Sequence, residues 1–198
     1  LIPPDVATCE ECIRDIRTPG GRYEGYFATS CVNCGPRYSI IRMLPYDRER
    51  TTMDNFPPCQ DCTEEYRDPR SRRHHAQTIA CDTCGPALTL HTADGRVVET
   101  ADPIRETAAL LDQGEIIAIR GIGGFHIACT GESAMELKRR LGRPRQPLAI
   151  MAPWDRIRDI ATVSPEEEAA LKGPACPIVV LDKRDPDLIP DVSSLHTI

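Results

Sequence analysis

Hydrophobic and polar positions follow two patterns that meet near residue 100. Ahead of it, Arg37-Tyr38-Ser39-Ile40-Ile41-Arg42 alternates in a way that predicts a strand, and Leu44-Pro45-Tyr46-Asp47-Arg48 turns the chain away from it. Ala87 to His91 predicts a second strand, Asp94-Gly95 a tight hairpin turn, and Arg96 to Glu99 the returning strand. Leu1 to Ala7, carrying Pro3 and Pro4, predicts an extended lead-in, with Asp5 or Thr8 placed to cap a short helical turn.

From Asp102 the pattern changes to helices alternating with strands. Asp102 N-caps a helix with Pro103 in its first turn and Ile104, Ala108 and Leu111 along one face, ending near Gln113-Gly114. The apolar run Glu115 to Arg120 predicts a buried strand, followed by the turn Gly121-Ile122-Gly123-Gly124-Phe125-His126. Ser133-Ala134-Met135-Glu136 predicts a capping-box helix start, and Gly142 stops that helix. Leu148 to Ala152 and Cys176 to Leu181 predict two further strands, separated by a helix that Ser164-Pro165-Glu166-Glu167 opens and Gly173 closes. Strands alternating with helices predict an α/β sheet for residues 101–198. Asp182 to Ile198 is polar and broken by proline.

Cysteine spacing changes the picture of residues 1–100. Eight cysteines form four Cys-x-x-Cys pairs, Cys9/Cys12, Cys31/Cys34, Cys59/Cys62 and Cys81/Cys84, with eighteen residues between the pairs of each copy and every cysteine of the first copy recurring fifty positions later in the second. Arg17 and Arg67, Pro19 and Pro69, Arg22 and Arg72, Gly35-Pro36 and Gly85-Pro86 keep the same offset. Two residues between cysteines let one tight turn aim both sulfurs at one ion, and a second turn completes a tetrahedron, for which zinc is the default occupant. Gly35 and Gly85 follow the second turn, where the backbone needs a positive φ or room for its amides to face sulfur. Such a site has no open coordination position and is structural. Disulfides compete for the same thiols but suit a small secreted domain, and a redox pair gives no reason for the eighteen-residue spacing. Iron in a four-thiolate site is chemically admissible on spacing alone. Pairing within each repeat is the simpler arrangement, and exchange of pairs between repeats stays open.

The chain has 198 residues, 40% hydrophobic and 27% charged, which allows one or two domains with a modest core. It begins at Leu1 without methionine, so it is expected to be cut from something longer, and it has no transmembrane run. Eight thiols arranged for metal favour a reducing compartment such as the cytoplasm. Residues 1–100 hold twelve Arg, no Lys and fifteen Asp plus Glu, a net of −3 that two zinc thiolate sites take to about −7. That argues against nucleic acid, which calls for a basic stripe. Arg67 to His75 is locally basic but reads as a solvated loop. Amides of the glycine turn can hold phosphate oxygens between a strand and a helix, though a tight structural turn explains it about as well. His126 reads as a polar residue packed after the turn, and Arg143 and Arg145 flank Pro144 where they can meet an anion.

Taken together, the two cysteine units closing in Gly-Pro, the linker Leu44-Pro45-Tyr46-Asp47-Arg48 with Thr51-Thr52-Met53, His75-Ala76-Gln77, and Gly121 to His126 resemble the hydrogenase-maturation carbamoyltransferases of the HypF family over nearly the whole chain. The resemblance implies an α+β chain: a duplicated four-cysteine, zinc-ribbon-like module over residues 1–100, then the N-terminal part of a YrdC-like nucleotide-binding domain over 101–198. It implies a large cytoplasmic enzyme, with an acylphosphatase-like and a Kae-type domain elsewhere in the polypeptide. Such an enzyme uses carbamoyl phosphate and ATP with Mg2+ to form carbamoyl-adenylate. It then carbamoylates the C-terminal cysteine of the partner HypE on the way to the cyanide ligand of [NiFe] hydrogenase. Two structural Zn2+ on the eight paired cysteines follow from the same likeness; from the acidic balance no nucleic-acid partner is expected, with double-stranded RNA or nucleotide polymers left open, and no membrane partner is expected. Arg120, Gly123, Gly124 and His126 fall on the family's Lys-Gly-x-Gly-Gly-x-His pattern, and Arg143-Pro144 on its later Arg-Pro element. Three positions depart from it: Arg120, Leu141 and Gln146 stand where lysine is usual. Leu141 lies four residues after Leu137 on the expected buried face of its helix. Residues 101–198 alone are therefore expected to bind ATP weakly or not at all. The competing class is a zinc-stabilised docking module without catalysis.

Overall fold

The computed structural model describes residues 2–198, so the first residue of the expected lead-in, Leu1, lies outside the described residues. The chain separates into two compact units, Leu1–Ala87 and Leu88–Ile198.

The first unit is built twice. Helices α1 (Glu10–Arg17) and α2 (Gln60–Arg67) each start directly after the first cysteine of a repeat, with Cys9 and Cys59 as the N-caps. Neither Asp5 nor Thr8 caps α1; the Cys9 carbonyl accepts from Ile13 N at 2.9 Å, as Cys59 does from Thr63. The loops that follow repeat most of their backbone bonds. Gly25 N donates to Ile16 O at 2.8 Å and His75 N to Tyr66 O at 3.0 Å, and Gly25 and His75 both take positive φ, 69° and 57°. The same conformational need is thus met once by glycine and once by a residue that tolerates it less well.

No strand forms in this unit among the described residues, which corrects the expected strand at Arg37–Arg42 and with it the ribbon-like β structure of the first repeat, while the hairpin expected after the second repeat forms at Leu90–His91 and Val97–Val98. The Asp5 carboxylate explains the missing strand. It accepts from Arg37 N at 2.6 Å, from Ser39 N at 3.1 Å and from Ser39 Oγ, which takes the amides a ladder would use. Burial opposes ionisation of Asp5, but those bonds outweigh it and hold its pKa below the ordinary value. Only Ile41 retains a bridge, to Thr51. Arg48 then ties the linker to the second repeat, donating to the carbonyls of Gln77, Ile79 and Phe56 at 2.6 to 2.8 Å. The core is small: Tyr23, Tyr26, Ile40, Met53, Ala76 and Ile79 pack with the cysteines themselves.

The second unit holds three antiparallel strand pairs rather than one continuous sheet. Strands β1 (Leu90–His91) and β2 (Val97–Val98) form the expected hairpin around Asp94-Gly95. Asp102 caps α3 (Pro103–Asp112) by accepting from Arg105 N at 3.0 Å, and Gly114 leaves the helix with φ 85°. Strands β3 (Ile117–Arg120) and β4 (Phe125–Ala128) pair Ile117 with Ala128 and Arg120 with Phe125. Contrary to expectation β3 is mostly exposed.

Helix α4 (Ala134–Leu141) ends at Gly142 with φ 66°, as its sequence predicts, but its capping box does not form. Ser133 Oγ instead donates to Gly114 O at 2.7 Å. Helix α5 (Trp154–Ile160) was not legible in the sequence, and it leads into β5 (Ala161–Thr162). Helix α6 (Pro165–Lys172) does carry a complete capping box between Ser164 and Glu167. Leu148–Ala152 and most of Cys176–Leu181 run without strand pairing. The last strand, β6 (Asp182–Lys183), pairs with β5. The proline-broken tail is pinned: Leu181 exchanges two backbone bonds with Ile198, and Lys183 Nζ donates to Ser193 O at 2.6 Å.

Candidate functional site

The repeats bring their cysteines together in two separate quartets, Cys9, Cys12, Cys31 and Cys34, and Cys59, Cys62, Cys81 and Cys84. Each quartet draws on one repeat. Sγ to Sγ separations are 3.7 to 3.8 Å in the first and 3.5 to 3.8 Å in the second. A metal with four sulfurs at about 2.3 Å requires tetrahedron edges near ~3.8 Å, whereas a disulfide closes to about 2.05 Å. Both quartets therefore have the geometry to hold a tetrahedral ion such as zinc, and all ten cysteines are free thiols.

The local chain explains how the sulfurs converge. In each repeat the first Cys-x-x-Cys spans a helix start and the second a tight turn, closed by Cys34 N to Cys31 O at 3.4 Å and Cys84 N to Cys81 O at 3.2 Å. The two glycines after these turns serve different needs. Gly35 takes φ 92°, while Gly85 has no positive φ but supplies room, since a Cβ there would lie 2.0 Å from Tyr26 Oη.

Burial pushes the Cys12 and Cys62 thiols well above their ordinary range, so a bare thiolate is penalised there and a bound cation would keep it ionised. Cys81 moves the other way, to about 7: burial opposes ionisation, but the Thr83 and Cys84 amides, Cys59 and Arg22 outweigh it.

Guanidinium groups reach both quartets, and sequence reading had not assigned them a role. Arg22 donates to Cys62 Sγ at 2.8 Å and to Glu65 at 2.7 Å. Arg72 approaches Cys12 Sγ at 3.6 Å and Asp15 at 2.6 Å. Burial opposes their charge, yet Tyr23 and Cys62 around Arg22, and Cys12 and Asp15 around Arg72, hold both pKa values above the usual range. Arg73, only 4% exposed, bonds Asp15 at 2.5 Å and Glu65 at 3.1 Å, with its guanidinium 3.8 Å from the Tyr23 ring centre. The reading of Arg67 to His75 as a solvated loop is therefore corrected at Arg72 and Arg73. The fifty-residue offset shared by Arg22 with Arg72, and by Asp15 with Glu65, was the available signal.

The glycine turn joins two antiparallel strands, not a strand and a helix. Gly121 N donates to Gly124 O at 2.7 Å, closing it, and Gly123 and Gly124 are exposed. Pairing of Arg120 with Phe125, and of Ile119 with His126, puts Arg120 and His126 on opposite faces of the hairpin. His126 is exposed rather than packed, and so is Arg143, which no hydrogen bond or ion pair of the described residues joins to the turn. Leu141 is 44% exposed, so its expected core role fails while Leu137 keeps its own at 5%.

Comparison with known proteins gives a consistent pattern. A family model described as HypF finger matches residues 8–41 and 59–91, covering all eight paired cysteines. A second, of the Sua5/YciO/YrdC type and described as telomere recombination, matches 109–198. The chain is 48% identical over 186 residues to the carbamoyltransferase HypF of Rhodobacter capsulatus, covering 92% of this chain and 25% of that protein. It is 50% identical over 185 residues to the probable carbamoyltransferase HypF of Methanocaldococcus jannaschii, covering 92% and 24%. The crystal structure of T. kodakarensis HypF superposes with a TM-score of 0.95 at 46% identity, over the whole of this chain and 27% of that one. A full-length HypF in a phosphate- and nucleotide-bound form gives 0.90 at 39%, over 26% of its length. The chain thus spans about a quarter of the length of the curated relatives it matches.

Proposed function

Because the chain belongs to the HypF family, we propose that it supplies the zinc-bearing part and a portion of the nucleotide site of a larger carbamoyltransferase. Cys9, Cys12, Cys31 and Cys34 hold one Zn2+, and Cys59, Cys62, Cys81 and Cys84 the other. Zinc supplies a cross-link here and no reacting group, because four thiolates leave it no open position. Arg120, Gly123, Gly124, His126 and Arg143 are the residues of this portion that would face the phosphates of ATP in the whole protein, where the remaining domains have to complete a site that this chain does not bring to one point. In the whole protein, carbamoyl phosphate and ATP with Mg2+ give carbamoyl-adenylate, and the carbamoyl group passes to the C-terminal cysteine of HypE. The remaining domains of the same polypeptide complete that chemistry, in the cytoplasm, where eight reduced thiols remain available to metal.

The observation that carries this reading is the pair of cysteine quartets at tetrahedral spacing, within a sequence nearly half identical to carbamoyltransferase HypF proteins. Elemental analysis of the anaerobically purified chain should return two zinc per chain. A metal-free, fully ordered chain, or sulfurs bonded to one another, would overturn it. For the catalytic part, the whole protein should show ATP-pyrophosphate exchange that depends on carbamoyl phosphate. Retained zinc and partner binding without exchange would favour the docking-module reading instead.

A further inference from the structure

The loops of the two repeats are crossed. Arg22 lies between Cys12 and Cys31, in a loop whose ends are closed by the first quartet, yet its guanidinium sits on the second, 2.8 Å from Cys62 Sγ and 3.9 Å from Cys59 Sγ. Arg72, in the loop closed by the second quartet, reaches the first, 3.6 Å from Cys12 Sγ and 4.0 Å from Cys9 Sγ. Each is steered by an acid from the repeat it visits, Arg22 by Glu65 and Arg72 by Asp15. Arg73 braces the crossing, donating to Ser30 O at 3.0 Å and bonding both acids.

A divalent ion with four thiolates carries a formal charge of about −2, and a guanidinium donating to one of its sulfurs offsets part of it. We propose that Arg22 and Arg72 are crossed positioning residues that make the two metal sites one cooperative unit. Closing either quartet fixes the loop that delivers counter-charge to the other, and losing either metal frees that loop and withdraws the charge. Linkage makes the coupling reciprocal. This inference rests on the reading that both quartets hold zinc.

The test follows zinc release from the whole, zinc-loaded protein challenged with a chelator in the presence of N-ethylmaleimide, with alkylated cysteines mapped by peptide mass. Arg22→Met should open Cys59, Cys62, Cys81 and Cys84 first, roughly 10- to 100-fold faster than in the wild type, as expected when a group supporting a metal ligand is removed. Arg72→Met should open Cys9, Cys12, Cys31 and Cys34 first, and Arg22→Lys, which keeps the charge, should recover part of the loss. Native mass spectrometry of the partly loaded wild type should find chains with no zinc or two, and few with one. Opening of each variant's own repeat first, unchanged release, or a dominant one-zinc wild-type species would overturn the proposal while leaving the zinc reading intact. A metal-free wild type would overturn both.

Discussion

At the scale of the residue, Gly85 shows how little tolerance surrounds the second quartet. A Cβ there would lie 2.0 Å from Tyr26 Oη, 2.6 Å from Ala80 Cβ and 3.0 Å from Cys81 O, so something must shift. Gly85→Ala is expected to destabilise the protein by about 1 to 3 kcal/mol, the usual cost of forcing extra volume into a packed site. Removing the Tyr26 hydroxyl should recover part of that cost. A double-mutant cycle in thermal unfolding checks it: Gly85→Ala should cost less in a Tyr26→Phe background than in the wild type. Equal costs in both backgrounds would show that the tyrosine is not the obstacle. Asp5 makes the complementary point. The sequence marked it as a helix cap, but the cysteine repeat already fixes the start of α1, and the carboxylate is used by Arg37 and Ser39 instead.

At the scale of the element, helix starts and stops were legible where the residues involved act locally. Asp102 with Pro103, Ser164 with Glu167, and Gly142 in the left-handed region all behave as their types require, because each signal is satisfied within one turn. Ser164→Ala should accordingly cost about 1 kcal/mol by the loss of a helix cap, read as a lower unfolding midpoint. Ser133→Ala should show no such capping effect, since that hydroxyl bonds Gly114 O and leaves the first turn of α4 alone. An equal loss of helix N-terminal protection in amide exchange for both variants would contradict this.

Strands were less legible because an apolar run states only that a neighbour is wanted, not which one. Leu148–Ala152 and Cys176–Leu181 contain Met151, fully exposed, and Ile178, 83% exposed, which find no cover among the described residues, whereas Leu181 at the end of the second run is buried. The alternation at Arg37–Arg42 failed for a different reason, a competing carboxylate distant in sequence. The glycine turn was found by its residues and misjudged in its setting, since composition does not distinguish a hairpin from a strand-to-helix turn.

At the scale of the whole molecule, the two units rest on different foundations. In residues 88–198, Arg120 and His126 lie on opposite hairpin faces, the turn amide of Gly121 is already engaged, and Leu141 and Gln146 supply no charge. A phosphate needs donors converging on one point, so ATP binding by this chain alone is expected to be weak or absent in calorimetry, and micromolar binding would refute that. In residues 1–87 the cysteine pattern did predict the quartets, because metal coordination is a constraint that spacing writes directly. What spacing does not write is how much of the fold depends on it. Among the described residues one buried cluster consists of Cys12, Cys31 and Cys34, flanked by Val6 and Cys9, and another includes Cys62 and Cys81 beside its few aliphatic and aromatic side chains. Without metal these sulfurs bury little apolar area, and nothing else holds the four of each quartet together. Stripping the metal with a strong chelator should therefore unfold this unit, with loss of α1 and α2 from the circular dichroism and protease cleavage concentrated between residues 10 and 84. Stability should return when zinc is added back under reducing conditions. Native-like protection of that segment after complete metal removal would mean that the small aromatic core suffices on its own, and that the quartets follow the fold instead of creating it.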